Sequence, residues 1–208
     1  MQKIAVLDYG MGNLHSVAKA IEKVSTNQKI FISKDIKEIQ ASNKLVIPGV
    51  GAIRDCMNSL VSLGMDDMIK KYSEEKPILG ICVGMQLLLQ ASEENYGTQC
   101  LGLIDGTVKK LEVSQGIKVP HMGWNKVSQK SNHPMFKGIS QDTFFYFVHS
   151  YAALNSENQA SITNHGQDFV SSVFKENIFA VQFHPEKSQH DGLRIYKNFI
   201  SWEGGNIQ

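Results

Sequence analysis

The sequence predicts an α/β protein: a mostly parallel central sheet flanked by helices, with an added antiparallel β region. Three observations predict it. Strand-like and helix-like segments alternate through the first half, and strand-like segments follow one another through the second. The length of 208 residues, 42% hydrophobic and 20% charged, fits one domain spanning 1–208 against a prior of about 150 residues per domain. A chain of this size buries roughly 70% of its unfolded surface and needs no disulfide or metal to hold a core.

The elements follow in order. Lys3 to Asp8 is a short apolar run and reads as the first strand, closed by a glycine turn from Tyr9 to Asn13. Leu14, Val17, Ala18, Ile21 and Val24 then recur at helical spacing and give one apolar face. Lys29 to Ser33 is a second strand. Leu45 to Ile47 is a third, stopped by Pro48-Gly49, with Ile53, Met57 and Leu60 marking a helix after it. Pro77 to Ile81 is a fourth strand and Met85 to Gln90 a helix. Short connections between such segments imply right-handed crossovers and a parallel sheet covered on both faces. The second half reads as strands at Gly106 to Leu111, Gly123 to Ser128, Thr143 to Tyr151, Ala160 to Asn164, Phe169 to Lys175 and Ile178 to Phe183. From Asp191, a closing amphipathic helix is marked by Leu193, Tyr196, Phe199 and Ile200.

Charge and composition exclude several classes. Lys and Arg number 21 against 20 Asp and Glu, which leaves no basic footprint for nucleic acid and no acidic tail. The longest uncharged run, Pro77 to Ser92, has 16 residues and falls short of the ~20 that span a bilayer. Met1 to Asp8 lacks the apolar stretch of a secretory signal. Cys56, Cys82 and Cys100 show no CxxC spacing and cannot all pair, so free thiols in a reducing, cytoplasmic compartment are expected.

Three constellations carry chemistry. In Gly80-Ile81-Cys82-Val83-Gly84, a strand runs into a Cys flanked by glycines and followed by a helix. This is the nucleophile-elbow pattern with Cys in place of Ser. The glycines give room for a sharp turn, the helix N-terminus favours the thiolate, and the Val83 amide points at an oxyanion. On these five residues alone, an inert buried Cys is an equal alternative, because free Cys packs as a small hydrophobe. In Gln182-Phe183-His184-Pro185-Glu186, residues two apart share a face of an extended chain. His184 and Glu186 then point the same way, and a carboxylate beside an imidazole fixes its tautomer. Pro48-Gly49-Val50-Gly51 ends another parallel strand, where ligands of open α/β sheets sit. It reads as a second oxyanion segment or as a plain turn. His15 stands where a dinucleotide loop needs its third glycine, no Walker lysine follows a glycine loop, and the seven His show no zinc spacing. No metal and no cofactor are expected.

GICVGMQ around Cys82, the later QFHPE and the upstream PGVG, in this order and spacing, resemble a class I glutamine amidotransferase domain. DYGMGN at Asp8 to Asn13, PHMGWN at Pro120 to Asn125, YFVHSY at Tyr146 to Tyr151 and HPEKS at His184 to Ser188 are similar, within that family, to glutaminase subunits of imidazole glycerol phosphate synthase. The resemblance covers Ile4 to Phe199.

It implies that Cys82 attacks the side-chain amide of L-glutamine, His184 shuttles the proton and Glu186 orients His184, through a glutamyl thioester. It also implies oxyanion amides from Gly49, Val50, Gly51 and Val83. Gln86 and Glu94, with Glu93 as the neighbouring alternative, would hold the substrate's amino-acid end, and Ser150 and Tyr151 its carboxylate. Asn13, Trp124, Tyr146, His149 and Lys187 would meet a separate (β/α)8-barrel cyclase subunit in a heterodimer. There ammonia would be used to make imidazole glycerol phosphate and AICAR in histidine biosynthesis. A paralogous subunit that feeds ammonia to sugar-nucleotide amination in surface glycan synthesis is the alternative. It shares nearly all of these motifs.

Overall fold

In the computed structural model of the protein, residues 1–113 and 116–205 are described. β1 (Gln2–Leu7) is buried without alternation from Ile4 onward, as a central parallel strand must be. α1 (Leu14–Val24) turns Val17, Ala18 and Ile21 inward, and β2 (Gln28–Ser33) pairs parallel with β1 at the sheet edge. α2 (Ile36–Gln40) has no legible periodicity, since five residues barely exceed one turn. Its start is set by Asp35, whose Oδ1 accepts from the amides of Lys37 at 2.8 Å and Glu38 at 3.1 Å. β3 (Lys44–Gly49) leads into α3 (Ile53–Ser62), then α4 (Met65–Glu75), β4 (Ile78–Cys82) and α5 (Val83–Leu88). α4 is a further helix that the sequence pattern does not announce. Met65, Met68, Ile69 and Tyr72 make a helical stripe, but charged residues crowd the segment and dilute it.

Beyond α5 come β5 (Ala91–Ser92), β6 (Thr98–Gln99), β7 (Thr107–Lys110), β8 (His121–Gln129), β9 (Thr143–His149), β10 (Tyr151–Ala153), β11 (Gln159–Asn164), β12 (Asp168–Lys175), β13 (Ile178–Val181) and the closing helix α6 (Gln189–Ser201). The run expected as one strand from Thr143 to Tyr151 is two. It breaks at Ser150, and β9 and β10 join different sheets.

Among the described residues, nine strands form the main sheet in the order β2-β1-β3-β4-β13-β12-β11-β8-β9. Pairing is parallel from β2 to β13 and antiparallel from β13 to β9. The antiparallel region therefore extends the same sheet rather than adding a layer. A small second sheet, β10-β7-β5-β6, stands beside it. β3, β4 and β13 expose no residue, so both faces of the parallel part are covered. α1 packs on α6, while α3 packs on α4 and α5. Lys44 at the start of β3 is buried under α6, its Nζ donating to the Trp202 carbonyl and lying 5.8 Å from the Phe199 ring centre. β13 is the seam of the molecule. Its register puts Val181 beside Ile81, so the ends of β4 and β13 deliver Cys82 and the segment from Gln182 to the same place.

Candidate active site

Cys82 sits at the junction of β4 and α5 with φ 55° and ψ −112°. Left-handed φ at a non-glycine residue costs of order 1–3 kcal/mol and persists only where the surroundings enforce it. Here the flanking glycines do so by close packing. A Cβ on Gly84 would overlap the Ile47 carbonyl of β3. One on Gly80 would come within 2.8 Å of Leu88 and 2.9 Å of Ala180. α5 thus lies tight against β3 and β4 with the sulfur held at the end of the sheet.

His184 follows β13, its amide bonded to the Tyr146 carbonyl of β9 at 2.9 Å. Ser188 Oγ donates to the His184 carbonyl at 2.7 Å and accepts from the Tyr146 amide at 2.9 Å. His184 Nδ1 and Glu186 Oε1 are 2.8 Å apart, and both side chains are buried. The expected pairing is therefore present, but by a different geometry. The chain is not extended through Glu186: Pro185–Lys187 form a 3-10 turn, which swings the carboxylate back onto the ring. Tyr196 of α6 donates to Glu186 Oε2 at 3.4 Å. Burial by itself would lower the pKa of His184. Hydrogen bonding with Cys82 and Glu186, and the charges of both, outweigh it and raise the pKa well above the ordinary histidine range. Nδ1 is taken by Glu186, which leaves Nε2 as the nitrogen available to Cys82.

These groups open on a cavity of about 330 Å³, at the small end of ligand clefts, about 300–1,000 Å³. Val50, Gly51, Val83, Gln86, Glu94, Ser150 and Tyr151 line it with Cys82 and His184. Gly49 does not. It is packed beneath the cavity, where a Cβ would come within 2.7 Å of the Gly84 amide, so of the upstream segment only Val50 and Gly51 reach the space. That segment is held from behind. Tyr9 donates to the Pro48 carbonyl at 2.8 Å, and Cys56 Sγ lies 3.6 Å from the Val50 carbonyl. Glu93 and Glu94 are placed differently. Glu93 pairs with Lys109 at 3.5 Å outside the cavity. Glu94 lines the cavity and accepts from the Ile53 amide at 3.0 Å, so one of its oxygens also caps α3.

Of the residues expected to meet a partner, Asn13 and Lys187 are exposed and Trp124 is 45% exposed. Trp124 packs edge-on to Tyr146 at 6.2 Å, and Lys187 Nζ lies 5.5 Å from the Tyr146 ring centre. His149 departs from the expectation: it is buried and lines the cavity. Its Nδ1 faces the Tyr151 carbonyl at 2.9 Å and its Nε2 faces His121 Nδ1 at 2.9 Å. No carboxylate orients it, and burial lowers its pKa to about 3.

Gln182 is a site residue that lies inside the QFHPE motif and to which the sequence alone assigns no role. It is fully buried, and its Nε2 lies 3.6 Å from Cys82 Sγ. The available signal is its parity: Gln182 and His184 lie two apart on one face of the strand end. Among the described residues, no group of three or more His, Cys, Asp or Glu side chains is placed to hold a metal ion, and no helix is long and apolar enough to cross a membrane.

Known proteins resemble the chain over nearly all of it. The family profile of class-I glutamine amidotransferases matches residues 5–202. Imidazole glycerol phosphate synthase subunit HisH of Nitrosococcus oceani is 47% identical over 207 residues, covering 98% of this chain and 99% of that one. Subunit HisH 1 of Pseudomonas aeruginosa is 48% identical over 212 residues, with 98% and 99% covered. The crystal structure of a putative GMP synthase component from Thermoplasma acidophilum superposes with a TM-score of 0.71 at 26% identity, over 97% of this chain and 93% of that one. PurLQS from Thermotoga maritima has the same fold, with a TM-score of 0.71 at 18% identity over 96% and 98%.

Proposed function

The chain belongs to the class-I glutamine amidotransferase family, and we propose that it is the glutaminase subunit of an imidazole glycerol phosphate synthase in histidine biosynthesis. The observation that carries this reading is the cavity that brings Cys82, His184 and Glu94 together, in a chain about 47% identical to HisH subunits along its whole length.

The chemistry follows from the placement of these groups. Cys82 gives its thiol proton to His184 as its Sγ bonds to the amide carbon of glutamine, and the carbonyl oxygen takes up the displaced electron pair. Backbone amides of Val83 and of the Val50–Gly51 segment, which line the cavity, stabilise that oxyanion. As it collapses, the C–N bond breaks and the protonated His184 gives its proton to the departing nitrogen, releasing ammonia. Water then attacks the thioester with its proton passing to His184, the C–S bond breaks, and glutamate leaves with the sulfur reprotonated. Glu186 keeps Nδ1 occupied, so Nε2 does all the proton transfer. Glu94 offers its second oxygen to the substrate's α-ammonium, Gln86 keeps Oε1 as an acceptor beside it, and Ser150 and Tyr151 border the carboxylate.

The ammonia goes to a separate cyclase subunit with a (β/α)8 barrel. Ammonia in neutral water becomes ammonium, which is not nucleophilic, so it must leave by a sealed path. The docking face is the outer side of β8 and β9. Met122, Trp124 and Phe144 are exposed there beside Tyr146, and the register Met122–Val148, Trp124–Tyr146 carries the patch to Val148 at the cavity. Residues 1–208 act as one glutamine amidotransferase domain, supported by a buried core that runs through both halves of the sheet. The free, buried thiols of Cys56, Cys82 and Cys100 suit the reducing cytoplasm.

The test is glutamate release from glutamine, with and without the cyclase subunit carrying its nucleotide substrate. Strong stimulation that disappears in Cys82→Ala is expected. A folded chain that no cyclase stimulates would overturn the histidine-pathway reading.

A further inference from the structure

Gln86 and Gln182 form a hydrogen-bond chain whose direction is set at one end. The Tyr151 carbonyl can only accept. Gln86 approaches it at 3.0 Å, so the Gln86 amide must present its nitrogen there. The same nitrogen stands 2.9 Å from the Gln182 amide, which must therefore present its oxygen to it. That leaves the nitrogen of Gln182 facing Cys82 Sγ at 3.6 Å. Amide orientation is assigned from the network in this way because the two ends of an amide are otherwise alike.

The anchor is itself fixed. The Tyr151 carbonyl also accepts from His149 Nδ1 at 2.9 Å, and His149 Nε2 accepts from His121 Nδ1 at 2.9 Å. Asn125 Nδ2 closes the row on His121 Nε2 at 3.1 Å. Every donor and acceptor in the row is consistent with neutral histidines. The Gln182 side chain is fully buried, so no bulk water competes for the sulfur, and its backbone amide is tied to the Ser171 carbonyl at 2.9 Å.

We infer that Gln182 is a further catalytic residue, donating its side-chain N–H to the Cys82 sulfur, and that Gln86 is a positioning residue that orients Gln182. The inference rests on Cys82 being the nucleophile of the proposed reaction. A donor aimed at the sulfur stabilises negative charge on it through a charge-assisted hydrogen bond and holds it in the cavity. It also explains why a fully buried amide stands at the seam between β4 and β13, where an apolar residue would pack as well. Two of Gln86's contacts are then made inside the protein through its nitrogen, which orients Gln182, and its oxygen is left to the substrate.

The experiment is alkylation of Cys82 by iodoacetamide at neutral pH without glutamine, resolved by site with mass spectrometry. Buried Cys56 and Cys100 serve as internal references. Glutamine hydrolysis is measured alongside on the complex with the cyclase subunit. Gln182→Leu is expected to slow Cys82 alkylation about tenfold, as loss of a hydrogen bond to a charged group does. It should also lower kcat by at least about tenfold, with KM changed less than about threefold. Gln182→Glu keeps the volume but sets a carboxylate against the sulfur, so it should slow alkylation further; it decides the matter if the leucine variant fails to fold. Gln86→Leu should slow alkylation about threefold, and the double variant should be no slower than Gln182→Leu alone.

Wild-type alkylation rates in the Gln182 variants would overturn the inference. A double variant slowed by both factors multiplied would overturn the role of Gln86. Because alkylation needs no glutamine, these outcomes are independent of the glutaminase reading, which fails separately if Cys82→Ala still hydrolyses glutamine.

Discussion

Two histidines line the cavity and have opposite electrostatic fates, which favours His184 as the proposed base. Burial dominates at His149 and lowers its pKa to about 3; no carboxylate opposes it. At His184 burial acts in the same direction but is outweighed by Cys82 and Glu186, so His184 is built to carry a proton. Burial pushes the Cys56 thiol up to about 11 and that of Cys100 to about 12, which keeps both protonated and inert. If Cys82 is the proposed nucleophile, Cys82→Ala should reduce glutaminase turnover about ten-thousand-fold or more while the chain still assembles with the proposed cyclase subunit, as sedimentation would show. Glu186→Gln should lower kcat by roughly a hundred- to ten-thousand-fold through loss of the orienting carboxylate, with KM for glutamine little changed. A mainly KM effect in steady-state assays would remove Glu186 from that role.

The elements set these residues by contact between α5, β3 and β4. Gly84 is where α5 touches the Ile47 carbonyl, and no side chain fits. Gly84→Ala should cost about 3 kcal/mol through overpacking, visible as a lower urea midpoint; an unchanged midpoint would mean that α5 can lift off the sheet at no cost. β9 has two duties. Its Tyr146 backbone holds both the His184 amide and the Ser188 hydroxyl, while the Tyr146 ring lies beside Trp124 and Lys187. A partner pressing on that ring touches the strand that positions the base. The break at Ser150, which splits β9 from β10, places Ser150 and Tyr151 at the cavity wall.

At the scale of the whole molecule, Met122, Trp124 and Phe144 form an exposed apolar patch at one end of the nine-stranded sheet, the surface proposed to meet the partner. Trp124 stands about half out of solvent contact on that patch, and Trp is enriched among interface anchors. Trp124→Ala should weaken binding of the cyclase subunit by at least about tenfold in calorimetric titration, with the isolated chain as stable as before. Unchanged affinity would place the interface elsewhere. The buried histidines set the acid limit of the fold. His121 and His133 are lowered to about 4 and His149 to about 3, from 6.5, with burial the largest cause in each. Their folded values lie below their unfolded ones, so between pH 6.5 and about 4 the unfolded chain binds more protons. The stability they contribute is complete above 6.5 and is lost as pH falls through about 4. Each titrating histidine is worth up to about 1.4 kcal/mol per pH unit. Urea midpoints should therefore fall steadily from neutral to about pH 5; a flat profile would show that these histidines are not buried neutral.

The sequence by itself determined the fold class, most strands, the Cys82 elbow and the partnership of His184 with Glu186. The first three rest on local patterns, apolar runs and glycines at a turn; the pairing is expected from alternation along an extended chain, whereas the structure makes it through the 3-10 turn at Pro185–Lys187. It could not show α2, too short to have a period, or α4, whose apolar stripe is diluted by charge. Nor could it separate Glu93 from Glu94. A shift of one residue along a turn changes side and partner, and the pairing of Glu93 with Lys109 on β7 and of Glu94 with the Ile53 amide of α3 exists only in the tertiary structure. Gln182 stands in plain view within a motif, yet its role depends on Gln86, 96 residues earlier in the chain, and on Tyr151 in the other sheet. The direction of a hydrogen bond through two amides is decided by a carbonyl on another strand, and only the tertiary structure brings that carbonyl into contact.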